Sequence, residues 1–416
     1  MKVWILQTGE PLPIDANGLR PMRAMNLTKS LIDHGHEVIL WSSNFDHFSK
    51  SHRFSTRKDI QFSESLSIKL IHSRGYKSHF GIARLIDHLQ LGWNLARMLH
   101  KESPPDVAFI GYPPIETAWV MATWLKRKKI PSVVDVKDAW PEILLRGFPP
   151  QIHPLLRILL IPYFLMMKKT FNSVTSISSV TKEFLTWCED QSSRDSSRNS
   201  MNIVNYLTSN NENSESNLTS QQLSFLNSNQ LEKQVIMRGV FVGTLNSAFD
   251  FNPLLSAAED LPIEIVIAGD GPVFDELKQK SSHLKNFRML GWVKESEARA
   301  LYKVSDFMFA PYKDLPDFDI HIPNKIFDAM SNALPLVSSI TGTTRNLIIE
   351  KQIGVVYDCD SATSLTNELQ KLISHREGLG KMGENSKRLY DQVYSFEEVY
   401  GNCVRHLEKL YRQNSG

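Results

Sequence analysis

The chain has 416 residues, 42% hydrophobic and 22% charged, with 20 Gly and 20 Pro. That composition is globular, and the length exceeds one ordinary core, so two domains are expected and a fibrous or wholly disordered chain is excluded. A formal net charge of +2 gives no strong global field, and no nucleic-acid partner is expected.

The charge is nevertheless uneven. Through Trp187 there are 24 Lys and Arg against 15 Asp and Glu, and beyond it 23 against 30. A basic first half suits an anionic surface or substrate, with simple solvation as the alternative. Cys188, Cys359 and Cys403 have neither paired nor metal-type spacing, which fits a reducing compartment. The opening "MKVWILQTGE" reads as a first strand, not as a signal peptide. The longest apolar run, Leu155 to Met167, is too short to span a bilayer, so a soluble or peripheral protein is expected.

In chain order, "KVWILQT" (2–8), "HEVILWS" (36–42), "SIKLIHS" (67–73), "DVAFIGY" (106–112), "PSVVDV" (131–136) and "SVTSIS" (173–178) read as strands. Helical patterns lie between them, such as the face of Met22, Leu27, Leu31 and Ile32. Strands apolar throughout and separated by helices predict a parallel sheet covered on both sides. Residues 191–230, half Ser and Asn, read as a partly disordered linker or insertion with one strand at "NIVNYL".

The second half repeats the alternation. Strands are expected at "VFVGTL" (240–245), "IEIVIAG" (263–269), "FRMLGW" (287–292), "DFMFAPY" (306–312), "PLVSS" (335–339) and "GVVYD" (354–358), and the last stretch reads as an amphipathic helix. The prediction is α/β: two doubly wound, Rossmann-like domains facing a central cleft, with ligands beyond the carboxyl ends of the strands. The boundaries are placed at 1–189, a linker at 190–233, 234–393, and a returning C-terminal helix at 394–416.

The stretch "PNKIFD", 323 to 328, opens a short helix between two buried strands. With Pro323 as first helical residue, the N–H groups of Asn324, Lys325 and Ile326 point out of a helix start that favours anions, and Lys325 adds a full charge. Asp328 lies on the same face, about 6 Å further along, where ribose hydroxyls would fall if a diphosphate sat at the helix start. An exposed i, i+3 ion pair is the alternative. "IAGDGP" (267–272) and "FVGTLNSAF" (241–249), with Gly243, are glycine turns at strand ends where backbone can approach a ligand. Neither is a dinucleotide fingerprint.

After the first strand, Asn17-Gly18 precedes a helix carrying Arg20 and Arg23, which read as a clamp for phosphate or carboxylate. "DVKDAWPE" places Asp135, Asp138 and Glu142 after a buried strand, and a carboxylate there is expected to face the cleft unless Asp135 only caps the next element. His47 is a lone loop histidine. Asp317-Phe318-Asp319 and Asp358-Cys359-Asp360 are the two pairs a hard cation would use. No nucleophile elbow or metal-spaced His/Cys cluster occurs.

Taken in order, "FVGTLNSAFDF", "IAGDGP", "LGWV", "PNKIFDAM" with "PLVSS", and "GVVYD" resemble a family 4-type glycosyltransferase of the GT-B architecture. "GLRPMRAMNLTKSLIDHGHEV", "FDHFSKSHR" and "DVKDAWPE" resemble the branch that builds bacterial surface polysaccharides. The resemblance covers nearly all of the chain outside 191–230. It implies retaining, metal-independent transfer of a sugar from a nucleotide sugar, expected to be a UDP-sugar, with no further cofactor. The second domain would hold the donor through Gly243, Thr244, Asp270, the Trp292–Val293 backbone, Pro323, Asn324, Lys325 and Asp328, with Gly18 of the first domain as a further donor contact. The first would hold a glycan or polyprenyl-diphosphate-linked acceptor. Asp138 is expected to orient the acceptor and Lys325 to stabilise the leaving diphosphate, with Arg20, Arg23 and His47 as acceptor or phosphate contacts. The expected place is the cytoplasm, at the inner face of the plasma membrane and against anionic lipid.

Asp328 falls at the second Glu of the family's E-x7-E motif, while the first falls at Ile320, beside Asp319. Thr244 and Phe249 stand where many members have Arg and Lys. Two alternatives stay open: a metal-dependent transferase using Asp317 and Asp319, and a nucleotide-sugar-binding subunit without turnover. An epimerase on the same architecture is a third.

Overall fold

The computed structural model describes residues 1–15, 21–77, 81–206, 208, 217–231, 236–315 and 320–415. They fall into two units, Met1–Ser209 with Phe396–Gly416, and Asn210–Ser395.

The first unit runs β1 (Lys2–Leu6), α1 (Arg23–Asp33), β2 (Glu37–Ser43), β3 (Phe45–Asp46), β4 (Ser51–His52), β5 (Lys58–Gln61), β6 (Leu66–Ile71), α2 (Ile82–Leu99), β7 (Val107–Tyr112) and α3 (Ile115–Arg127). It continues with β8 (Ser132–Val136), α4 (His153–Leu159), α5 (Ile161–Ser173), β9 (Ser176–Ser179), α6 (Lys182–Asp190), α7 (Ser196–Asn199) and β10 (Ile203–Val204). The sheet order is β10-β9-β8-β7-β1-β2-β6-β5, parallel except where β5 joins β6. Every residue of β7 and β8 is buried, as a parallel strand covered on both faces requires. Val3 pairs with Val38 on one side and Val107 on the other, so the chain starts mid-sheet and reverses direction between β1 and β7. In open α/β sheets that reversal marks the ligand crevice.

The Ser/Asn-rich stretch is not a plain linker. Its beginning is built into the first unit: β10 extends the sheet beside β9. The buried Arg194 donates to the carbonyls of Phe171, Val174 and Thr175 at 3.1, 2.8 and 2.7 Å. Polar composition hides this role because one arginine, wrapped by backbone acceptors, anchors the segment without an apolar run.

The second unit runs α8 (Ser220–Ser228), β11 (Met237–Val242), α9 (Asn252–Asp260), β12 (Ile263–Ala268), α10 (Phe274–Lys280), β13 (Phe287–Gly291), α11 (Glu295–Lys303) and β14 (Phe307–Ala310). Then follow α12 (Asn324–Ser331), β15 (Leu336–Ser338), α13 (Gly342–Lys351), β16 (Gly354–Val356), α14 (Ala362–Ser374) and α15 (Glu377–Leu389). All six strands are parallel in the order β13-β12-β11-β14-β15-β16, with the reversal between β11 and β14.

The last helix, α16 (Phe396–Ser415), belongs to the first unit. Its Phe396, Val399, Tyr400, Cys403, Val404, Leu407 and Leu410 share one core with Val3, Leu27, Leu31 and Val38. Their three- and four-residue steps put them on one helix face, and burying them contributes on the order of 10 kcal/mol before entropy is counted.

Candidate active site

In the second unit Gly243, Thr244 and the start of α12 lie at the β11/β14 reversal, while Asp270 follows β12 and Trp292 and Val293 follow the edge strand β13. Pro323 is extended, at φ −66° and ψ 150°, and is the N-cap of α12, not its first helical residue. The N–H of Ile326 already donates to the Pro323 carbonyl at 3.0 Å, so by position only those of Asn324 and Lys325 remain for an anion. The Lys325 ammonium turns back onto the end of β11 and donates to the Val242 carbonyl. It sits 4.4 Å from the ring centre of Phe241 and 5.4 Å from that of Phe249. Burial lowers its pKa to about 8, opposed by the carboxylate of Asp328.

Phe249 is buried against Phe241 and Tyr312. Phe249 and Phe241 therefore form the aromatic walls of a cation–π site whose charge comes from Lys325 of α12.

At φ +142°, Gly243 makes room for the Lys325 ammonium, and a Cβ at Gly269 would lie 1.9 Å from the Gly243 carbonyl oxygen. The Leu245 N–H donates to the Asp270 carbonyl at 2.9 Å. The two loops interlock, and the glycines admit protein backbone and Lys325.

Around this centre Thr244, Asp270 and Asn324 are exposed, Val293 and Asp328 are half-buried, and the Trp292 indole is 71% exposed. Gly18, Arg20, Asp317 and Asp319 lie outside the described residues.

In the first unit a cavity of about 230 Å³ opens at the β1/β7 reversal. Its walls come from Gln7 to Glu10 after β1, His47 after β2, Pro113 and Pro114 after β7, Lys137 and Asp138 after β8, and the start of α2. His47 Nδ1 lies 2.5 Å from the Tyr76 hydroxyl. The Arg84 guanidinium lies between Tyr76 and Trp140, 5.7 and 5.4 Å from their ring centres. Asp138 is exposed and lines the cavity.

Arg23 is not a clamp. Its guanidinium is buried, 2.8 Å from the Asp135 carboxylate, and donates to the Asn205 carbonyl. Asp135 is fully buried, accepts from the Ser178 hydroxyl at 2.8 Å, and neither faces a crevice nor caps a helix. The start of α1 is taken as well: Glu10 accepts from the Ala24 N–H at 2.8 Å and pairs with Lys137. The protein's own carboxylates fill the anion positions that the sequence pattern offered to a ligand.

The polar core behind the cavity escaped the sequence reading. Arg84 Nε donates to His88 Nε2 at 3.4 Å, which leaves the ring proton on Nδ1, 3.8 Å from Glu116 Oε2. Burial, with Arg84 and His47 adding to it, lowers the His88 pKa to about 3, so the ring is neutral at pH 7. Burial raises that of Glu116 to about 7 against a hydrogen bond from Tyr163. Asp87 accepts from the Gly75 N–H at 2.6 Å. The available signal was the pair Asp87-His88 on the helix face that otherwise buries Leu91, Leu95 and Met98. Neutral and charged hydrogen-bonding groups stand beside aromatic rings here.

The family described as Glycosyltransferase Family 4 matches residues 22–190, and that described as Glycosyl transferases group 1 matches 238–375. The O-antigen chain mannosyltransferase C of Escherichia coli is 23% identical over 180 residues, 42% of this chain and 47% of that protein. The chain spans about half the length of the curated relatives it matches. Among solved structures, sucrose-phosphate synthase from Thermosynechococcus elongatus superposes with TM-score 0.70 at 13% identity, covering 99% of this chain and 98% of that one. HepE from Anabaena, in complex with UDP, gives 0.65 at 12% identity over 98% and 99%. The architecture is therefore that of the two-Rossmann, GT-B glycosyltransferases. Within that class, the chain belongs to the family 4-type glycosyltransferases.

Proposed function

We propose that this protein transfers a sugar, with retention and without a metal ion, from a UDP-sugar to a lipid-linked glycan acceptor in the synthesis of cell-surface polysaccharide. The carrying observation is the Lys325 ammonium held at the β11/β14 reversal beside the start of α12. A diphosphate there meets a full charge and two helix N–H groups as its bond to the anomeric carbon breaks. The acceptor hydroxyl attacks that carbon from the face the diphosphate leaves, and its proton passes to the leaving phosphate oxygen. Asp328 takes the ribose hydroxyls, the exposed Trp292 and Asp270 border the nucleotide, and Asp138 orients the acceptor.

The UDP complex of HepE supports a uridine donor, and the O-antigen relative supports a surface-polysaccharide product. A place at the inner face of the membrane follows from a lipid-linked acceptor.

The test is calorimetric titration with UDP, GDP, ADP and CMP, with and without EDTA, on the protein and on Lys325→Ala and Asp328→Ala. Micromolar binding of UDP, indifferent to EDTA and weakened at least about tenfold in both variants (about 1.4 kcal/mol), upholds the donor site. Binding that EDTA abolishes returns the site to a metal, and binding indifferent to both substitutions makes α12 scaffolding. The anomeric configuration of the product, read by NMR, tests retention.

A second reading is favoured by Phe249, which is buried at a position where the resemblance implies a cation. It is a subunit that binds nucleotide sugar without turnover. Tight UDP binding without transfer to any glycan or water would select it.

A further inference from the structure

We propose that the outer face of α2, α4 and α5 docks on an anionic lipid bilayer. The proposal deepens the reading of a lipid-linked acceptor and rests on it for its purpose, though not for its test.

Helix α2 has two working faces. Arg84, Asp87, His88 and Leu91 line the cavity. On the opposite face Ile82, Ile86, Leu89 and Trp93, in steps of four, three and four, stand 75%, 42%, 53% and 68% exposed. A core-facing helix has no use for that stripe. A second apolar surface lies on α4 and α5, where Leu155, Ile158, Leu159, Ile161 and Leu165 are all exposed.

The two surfaces belong to one layer. The crossovers β6–α2–β7, β7–α3–β8 and β8–α4–α5–β9 all run the same way across the sheet, and right-handed crossovers put their helices on one side. Helix α3 packs against both α2 and α5.

Charge selects the occupant. The only carboxylates on these four helices, Asp87 and Glu116, are buried. Cations are exposed on all of them: Arg97 on α2, Lys126 and Arg127 on α3, Arg157 on α4, Lys168 and Lys169 on α5. The apolar groups of α2 and α4 begin near the helix starts, at the end of the sheet where the cavity opens, while Arg97 and Arg127 stand at the far helix ends. A surface both apolar and predominantly cationic, with Glu142 beside Arg157 at 3.6 Å as the exception, fits acyl chains bordered by anionic headgroups. A second copy would bring like charges together.

Among the described residues no single helix is long and apolar enough to cross a membrane. The pair Pro150–Leu159 and Ile161–Ser173 bends by 67°, and each arm is well short of the roughly 20 residues a span needs. The contact is in the plane of the interface.

The test is flotation of the full chain with vesicles of phosphatidylglycerol and phosphatidylethanolamine, and with phosphatidylcholine alone, without donor or acceptor. Binding is expected to the anionic vesicles and to fall about tenfold or more in Ile86→Ser/Trp93→Ser and in Leu155→Ser/Leu159→Ser. Lys168→Glu/Lys169→Glu should lose the preference for anionic vesicles. All three variants should keep the wild-type circular dichroism and urea unfolding midpoint, which shows the first unit folded. Wild-type binding in the serine variants, no binding at low salt, or equal binding to both vesicles overturns the proposal. A dimer in sedimentation that the serine variants dissociate, with no flotation, assigns the face to a second copy. Flotation without any UDP binding retains the docking surface and removes the transferase reading.

Discussion

The Lys325 ammonium occupies the space a β-carbon would need at Gly243: that carbon would lie 1.7 Å from Nζ. The glycine and the lysine are one device, because the strand end is left open only so that the cation can bridge to the Val242 carbonyl. Gly243→Ala must displace the ammonium and also strain a backbone at φ +142°. We expect at least about a tenfold loss of UDP affinity. Gly243→Ala combined with Lys325→Met should lose little more than either alone, since both remove the same contact. Calorimetry on the four proteins checks this.

The depressed pKa of Lys325 makes donor binding pH-sensitive. Its folded-state pKa of about 8 lies below the ordinary 10.5, so the cation is present below about pH 8 and lost above it. Affinity for UDP should be level from pH 6.5 to 7.5 and then weaken, at most about tenfold per unit. Lys325→Met should bind weakly with no such fall. A bound diphosphate will itself draw the pKa upward, so the break should move to higher pH at saturation.

Glu116 titrates in the opposite sense. Its folded-state pKa is raised from 4.5 to about 7, so the stability tied to its proton is whole below pH 4.5 and lost as the pH rises through 7. The stability gained by Glu116→Gln should therefore grow from little at pH 4.5 to on the order of 3 kcal/mol at pH 8. Urea unfolding of the two proteins across that range measures it. Working with the difference is essential, because the neutral His88 loses stability as the pH falls from 6.5 toward 3.

The buried pair of Arg23 and Asp135 predicts a structural, not a catalytic, phenotype. Arg23→Met leaves a carboxylate stranded in the sheet and should cost about 3–5 kcal/mol in urea unfolding. Arg23→Met with Asp135→Leu should recover most of that. A phosphate clamp would behave differently, losing affinity for its ligand while the fold kept its stability.

These cases show where the sequence is legible. Strands such as "DVAFIGY" are apolar throughout because helices cover both faces, so two parallel sheets could be read directly. The charge at the start of α12 was equally visible in Pro-Asn-Lys between two strands, but its packing on Phe241 and Phe249 was not. Long-range pairing was not visible. Arg23 meets Asp135 from 112 positions away, and Glu10 caps a helix that begins beyond the next loop. In a linear reading both look like unassigned charges awaiting a ligand. The close approaches at the glycines of the second unit were invisible for a related reason: Lys325 and a neighbouring loop reach them from a distance in sequence. Asp87 and His88 were legible as polar residues in an apolar stripe and were passed over.

Helix α16 closes the core of a unit whose other parts were made more than 180 residues earlier. During synthesis the second unit, contiguous from 210 to 395, emerges whole while the first still exposes the apolar face of α1. The first unit must therefore wait, loosely formed, until residues 396–410 leave the ribosome, and the order of folding is the reverse of the order of translation. A released fragment ending at residue 395 should hold a protease-resistant second unit beside a first one that is still digestible.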